Sequence, residues 1–429
     1  MSDLSDKLKS LGVKVGAKEV KPPEKPAPAG SVFEAILGGG PRQTPMGETY
    51  VVEARYPYGQ AHGRARLALQ APRRVLAEWA KEPRLADLAP EDFVFLDTET
   101  TGLSGGTGTY AFLVGVARFE EEGLHLVQFF MRDPAEEPGL LAALEEFLAP
   151  CQALVTFNGK AFDAPLLLTR YLSHGWQPPL QGLAHVDLLH LARRLWRDRL
   201  PSRTLGMLEA HILGAGRSED DIPGWMIPEM YFTYLQTGDP TPLKGVFYHN
   251  AMDVVSLAAL MEHMSGMLDD PEGLGSEHGV DLISLAKLYE DLGNQSAAAR
   301  LYVHGLEHED ARSEQMPRTV MLQGLQRLAA MHKREGDWQT AIKHWEQAAQ
   351  HQDLGAHVEL AKCYEHALRD YPAAVRWTQA AITLVVEGLA LAPDGEPLGL
   401  YERRQRLAEL GHRLERVERK EKTSENYGP

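Results

Sequence analysis

The spacing of apolar residues changes character once along this chain, near residue 270, and that change dictates two kinds of core. Before it come short apolar runs of strand length: FVFLDTET at 93 to 100, Tyr110 to Phe119 and Leu124 to Met131. Helical and strand patterns then alternate, as Glu136 to Leu148, the strand Ala153 to Phe157, a helix near Ala161 to Leu172 and the strand-like Ala184 to Val186. Three meandering strands followed by this alternation predict an α/β mixed-sheet domain over 91 to 267. After the linker LDDPEGLGSE (268 to 277) the pattern is helical only, and it repeats. LAKLYEDLGNQSAAARLY from Leu285, LAAMHKREGDWQTAIKHW from Leu328 and LAKCYEHALRDYPAAVRW from Leu360 align. They share an initial Leu-Ala, an alanine at 298, 341 and 373, and an aromatic at 302, 345 and 377. At about 150 residues per domain, a chain of 429 residues has room for two or three such units.

The second and third copies start 32 residues apart and the first two 43 apart, which fits an insertion around 308 to 320. This spacing resembles the tetratricopeptide repeat, in which small and aromatic positions let helix pairs stack. Residues 278 to 421 are therefore expected to form an all-α array ending in a charged capping helix from Leu400 to about Lys420. The resemblance implies a protein partner for its surface. Residues 1 to 47, with KEVKPPEKPAPAG and GGGP, have the composition of a disordered tail with room for one short helix. A strand (Thr49 to Tyr56) and a short helix (Pro72 to Lys81) make 48 to 90 an N-terminal adaptor, and 422 to 429 is a second tail.

Charge narrows the function classes. The chain carries a formal −16, and between 90 and 270 there are 11 Lys and Arg against 25 Asp and Glu. Coating nucleic acid by bulk electrostatics is excluded, because phosphate binding needs clustered cations. A metal enzyme acting on phosphates is not. Two distant cysteines, Cys151 and Cys363, provide neither a disulfide scaffold nor a thiolate metal site. No run of about 18 uncharged apolar residues occurs, and the polar start lacks a signal peptide's apolar stretch, so the expectation is a cytoplasmic protein without membrane contact.

Scattered carboxylates carry the chemistry. Asp97 and Glu99 end an apolar strand two residues apart, so both face one side while Thr98 faces the other. Two acids on one strand face repel unless a cation lies between them. In TFNGKAFDAPLLL (156 to 168), a strand runs into Asn158-Gly159 and Phe162 precedes Asp163 at a helix start. Ligands gather at strand ends in α/β sheets, so Asp163 can face the first pair. In HNAMDVVSLAALM (249 to 261), His249 and Asp253 are four apart on one helical face. Each motif alone has a plain structural reading: solvated strand-end acids, a helix-starting aspartate, a surface pair.

Together they resemble the three motifs of the DEDD superfamily, proofreading-type 3′-5′ exonucleases with an RNase H-like fold, over about 93 to 266. The layout is similar to the YprB-like bacterial subfamily, where such a domain precedes tetratricopeptide repeats. The resemblance implies a two-metal-ion nuclease on DNA or RNA whose catalytic and metal-ligating carboxylates are Asp97, Glu99, Asp163 and Asp253. Four carboxylates without a Cys/His cluster favour Mg²⁺ or Mn²⁺. The usual patterns are H-x4-D or Y-x3-D, whereas Tyr248 and His249 exchange those places. In a continuous helix four residues turn about 40° past a full circle and five about 140°, which puts His249 on the face of Asp253 and favours it as the group serving the attacking water.

Further candidates for substrate binding are Thr98, Asn158, Phe162 and the arginines 193 and 197, which share a helical face within the one basic cluster of the domain. Salt bridges to acidic neighbours explain those arginines equally well. Asp187 is either an extra acid or a helix cap, and Trp225 and Tyr231 either stack on bases or pack. GGTGTY reads as a hairpin turn and HGLEH (304 to 308) as coincidence. The alternatives are a structure-selective endonuclease, and a non-catalytic scaffold that would have no need of four convergent acids.

Overall fold

The computed structural model describes residues 30–102, 108–273, 277–313, 315–391 and 395–426. The first part of the tail (1–29), most of the glycine-rich turn (103–107), part of the linker (274–276) and the last three residues lie outside them. Two compact units emerge. The first takes the described residues up to Gln60 together with Pro90–His185 and Gly216–Ala258; the second takes Ala61–Ala89, Val186–Ala215 and those from Ala259 onward. No single cut in the sequence separates them.

Seven strands build the sheet: β1 (Gly40–Thr44), β2 (Gly47–Pro57), β3 (Phe93–Thr100), β4 (Ala111–Glu120), β5 (Gly123–Phe130), β6 (Ala153–Thr156) and β7 (Ala184–Asp187), in the order β1-β2-β5-β4-β3-β6-β7. Strands β1 and β2, β2 and β5, β5 and β4, and β4 and β3 pair antiparallel, and β3 pairs with β6 in parallel. This is the mixed sheet of an RNase H-like domain. Strand β5 is buried along its whole length, as a strand covered on both faces must be, and reads as a nearly unbroken apolar run. In β3 the first four residues are buried and the last four half-buried, so the apolar run anchors the strand and leaves its acids at the strand's C-terminal end.

The stretch expected to be a tail folds in part. A helix, α1 (Gly30–Leu37), precedes β1, and Phe33 lies edge-on to Tyr50 with ring centroids 4.7 Å apart. Burying one such side chain is worth about 1.5–3 kcal/mol, and it acts together with Leu37, packed against the same core, and with the Tyr50 hydroxyl, which donates to the Gly38 carbonyl at 2.5 Å. Gly39 makes the reversal possible: at φ +72° a Cβ there would lie 2.0 Å from the Val51 carbonyl oxygen. The strand assigned to an adaptor is β2, an integral member of the main sheet.

The second unit contains α2 (Arg74–Ala80), α3 (Leu188–Trp196) and the helices α4 (Gly279–Asp291), α5 (Gln295–Glu307), α6 (Arg318–Glu335), α7 (Trp338–Gln350), α8 (Leu354–Cys363), α9 (Tyr371–Val386) and α10 (Leu400–Asn426). The last helix runs through most of the expected terminal tail. Asn294, Asp337 and Asp370 each cap the second helix of a pair, accepting the amide of the residue three further on. Counted from these caps, Ala298 and Ala341 are equivalent to Ala374, and Tyr302 and Trp345 to Thr378, all buried. The alignment on 373 and 377 is thus displaced by one residue. A widened helical turn at Tyr364–Leu368 absorbs the extra residue. Among the described residues no helix is long and apolar enough to cross a membrane.

Candidate active site

Strand β3 and two helices of the first unit, one from Asp163 to Ser173 and one beginning at Leu243, bring the carboxylates together. Glu99 is pushed up to about 8 by burial and by the charges of Asp253 and Asp163, with Arg217 opposing and Asp221 adding to the rise. Asp97 is raised well above the usual carboxylate range by loss of hydration and then by Asp253, Glu99 and Asp163, a hydrogen bond from Asn250 opposing. Mutual repulsion of this kind places all four acids in one electrostatic neighbourhood. Thr98 Oγ1 donates to Asp163 Oδ1 at 2.5 Å and so ties the start of that helix to β3.

Asp97 is fixed by residues that sequence reasoning missed. Asp97, Gly115 and Gln128 stand opposite one another on β3, β4 and β5. Asn250 lies over this row, fully buried. Its Nδ2 donates to Asp97 Oδ2 at 2.9 Å, while Gln128 Nε2 donates to Asn250 Oδ1 at 2.9 Å and to the Phe247 carbonyl at 2.8 Å. Glycine is required beneath it, since a Cβ at 115 would sit 2.2 Å from Asn250 Oδ1. The available signals were a glutamine in LHLVQFF and a glycine in AFLVGVARF, polar and missing side chains inside strands that otherwise read as core.

The segment from Arg217 to Asp221 was also missed as part of the site. Arg217 Nη2 donates to Asp253 Oδ1, and its Nη1 lies 3.4 Å from Asp221 Oδ1 and 3.2 Å from His249 Nδ1. His249 Nδ1 meets Asp221 Oδ1 at 2.8 Å, and its Nε2 lies 3.7 Å from Asp253 Oδ2. Nδ1 thus stands between the Asp221 carboxylate, which can only accept, and the Arg217 guanidinium, which can only donate, and Nε2 is left on the side of Asp253. Tyr248 turns elsewhere and accepts the Ser218 amide at 2.8 Å.

Beside the acids lies a cavity of about 360 Å³ lined by Asp97, Thr98, Asn158, Phe162 and Asp163 among others. Asn158 adopts φ 66°, a left-handed conformation that asparagine tolerates, and so turns the chain from β6 toward Asp163. Phe162 is 54% exposed on the cavity rim. Arg193 and Arg197 are not part of this assembly; they belong to the second unit and line a different pocket. Asp187 caps α3 by accepting the Leu189 amide at 3.1 Å. Tyr231 is buried, stacked on Phe112 at 4.0 Å, and donates to the Met131 carbonyl, whereas Trp225 is exposed.

As donors, the four carboxylates suit a hard divalent cation, and their repulsion is what such an ion would relieve. Among the described residues no three His, Cys, Asp or Glu side chains converge tightly enough to hold an ion as they stand. Arg217 supplies the positive charge at Asp253.

The family described as the RNase_H superfamily matches residues 94–265. Over 345 residues the chain is 31% identical to a protein of Bacillus subtilis (strain 168) named only as uncharacterized protein YprB, a match that covers 77% of this chain and 79% of that one. The chain belongs to the YprB family. An RNase H-superfamily domain supports a nucleic-acid-cleaving function for the family, and such domains generally work with divalent ions. Among solved structures, the family B DNA polymerase of the hyperthermophilic archaeon Pyrobaculum calidifontis is similar at 19% identity and a TM-score of 0.31. That match covers 56% of this chain and 30% of the polymerase, too remote to bear on activity.

Proposed function

We propose that this protein is a metal-dependent nuclease that hydrolyses phosphodiester bonds in DNA or RNA as a 3′-5′ exonuclease. The observation that carries the reading is the gathering of carboxylates about β3: Asp97 lines one cavity with Asp163, which accepts from Thr98, and Asp253 pairs with Arg217 on the helix that also brings Asn250 to Asp97. Asp97, Glu99, Asp163 and Asp253 would hold Mg²⁺ or Mn²⁺, which when bound would supply Lewis acidity on the phosphate and an activated water. Arg217 shares Asp253 and has to release it before that carboxylate is fully available. His249 takes the proton of the attacking water at Nε2, with Asp221 fixing the ring through Nδ1.

The cavity of about 360 Å³ lies near the lower end of ligand-pocket sizes, about 300 Å³, and suits the end of a strand better than a duplex. Phe162 on its rim offers a stacking surface for a base. Polarity comes from the resemblance to the DEDD exonucleases. The helical unit is read as a tetratricopeptide-type array that receives a protein partner, a reading supported by its capped and stacked helix pairs. Incubation of the purified protein with end-labelled single- and double-stranded DNA and RNA in Mg²⁺, Mn²⁺ or EDTA tests the activity. Stepwise shortening from the 3′ end that EDTA abolishes is the expected result. Internal cuts would replace the exonuclease by an endonuclease, and intact substrates under every condition would overturn both.

A further inference from the structure

A second pocket, of about 330 Å³, lies wholly within the second unit, and the carboxylate chemistry does not explain it. Three stretches wall it: the end of α3 and the residues just beyond it, with Arg193, Arg194 and Arg197; the following loop, with Arg203; and α4, with Lys287. Arginines at the end of a helix have an ordinary role, complementing the negative end of the helix dipole. That role does not reach Arg203 or Lys287, which come from other segments.

Pairing does not neutralise the pocket either. Asp198 accepts Lys287 Nζ at 3.0 Å and meets Arg197 Nε only at 3.7 Å. Arg194 is engaged by Asp291, and Arg193 makes no ion pair among the described residues. Five cations thus face two acids in a chain whose net charge is −16. The Lys287 side chain is only 8% exposed, and burial lowers its pKa against the pull of Asp198, so its charge is kept at some cost. Arg197, at 72% exposure, is free to reach outward. Guanidinium forks around a small polar cavity match a tetrahedral anion with several oxygens, which they bind bidentately.

We propose that this pocket grips a backbone phosphate of the nucleic acid substrate, giving an acidic protein a dedicated hold on a polyanion. The proposal rests on the nuclease reading and extends it. Titrating the full chain into a labelled single-stranded oligonucleotide in EDTA, over a range of salt, tests it by fluorescence anisotropy. R193Q/R197Q is expected to weaken binding roughly tenfold at low salt and to lower the slope of log K against log salt by about 1.4, about 0.7 for each lost contact. R193K/R197K, which keeps the charges, should keep most of the slope. Unchanged affinity and slope in R193Q/R197Q, in a protein whose thermal melt shows it folded, overturn the proposal. So does a wild-type melt raised by inorganic phosphate through these arginines when oligonucleotide binding ignores them, since the pocket would then take a free anion. The nuclease reading is tested apart from this, by hydrolysis of a small chromogenic phosphodiester with Mn²⁺ and its loss in Asp97→Asn. Failure there, with the anisotropy result intact, would remove the nuclease and leave the phosphate pocket standing.

Discussion

Each unit holds a shielded carboxylate, and the two have opposite fates. Glu365, whose side chain is completely covered, receives Arg413 Nη1 at 2.8 Å, Arg416 Nη2 at 2.9 Å and Lys420 Nζ at 2.9 Å from the capping helix. Burial alone would raise its pKa, but the hydrogen bonds from Arg416 and Lys420 hold it down at about 2. Glu99 stands at about 8 because burial raises it and its charged neighbours, mostly acids, add to the rise where those of Glu365 oppose it. Burying a carboxylate is therefore no mark of function in this protein. The mark is the shortage of cations around it, since a structural acid is compensated and a poised one is left to repel its neighbours.

The strongest way to break this contrast is Asp97→Asn. Hydrolysis is expected to fall by about a thousandfold or more, roughly 4 kcal/mol in the barrier, while the melting temperature stays level or rises because a repulsive charge is gone. Undiminished activity would sink the assignment of the site. Glu365→Ala should do the reverse, costing about 2–4 kcal/mol of unfolding free energy by stranding three cations. Denaturant unfolding measures it, and a cost near zero would mean the ion cluster is ornamental.

A smaller effect separates the two residues before Asp253. His249→Ala is expected to slow single-turnover cleavage by about 100-fold and Tyr248→Phe to change it little. The opposite ranking would transfer the proton-accepting role to Tyr248.

Stability against pH sharpens the comparison with the smallest effect. The folded pKa of Glu365 lies below its unfolded value, so its contribution is present above about 4.5 and disappears as pH falls toward 2. Glu99 has the reverse sign. Its folded pKa lies above the unfolded one, so the metal-free protein loses stability as pH rises from about 4.5 through 8. Mn²⁺ should then raise the melting temperature more at pH 8 than at pH 6. An equal rise at both would show that Glu99 is already ionised in the free protein.

Local signals made much of this legible in the sequence. The apolar run of β3 ending in Asp97 and Glu99, and the turn into Asp163, are patterns of neighbouring residues, and the observed strands lie within a residue or so of those expected. What escaped depends on distant partners. Asn250 becomes meaningful only when the register sets Asp97, Gly115 and Gln128 side by side. Arg217 lies 36 residues from Asp253 and no periodicity joins them. The start of the first unit was hidden by composition, because the contacts that hold it, Phe33 and Leu37 on the core and the Tyr50 hydroxyl on Gly38, exist only once the sheet is there to receive them. The second unit draws in Ala61–Ala89 and Val186–Ala215, so removing the chain after Met267 would strip those segments of their neighbours in the same unit.

The bare backbone of Gly115 has a consequence for assembly. Its flanking residues, Val114 and Val116, are both buried core side chains. A slip of β4 by one residue would put an isopropyl group where Asn250 now rests. Asn250 would be evicted, and Asp97 would lose the one hydrogen bond that opposes the rise in its pKa. The setting of Asp97 therefore depends on the register of β4 as well as on its own strand, so an error in strand pairing would be felt first at this carboxylate.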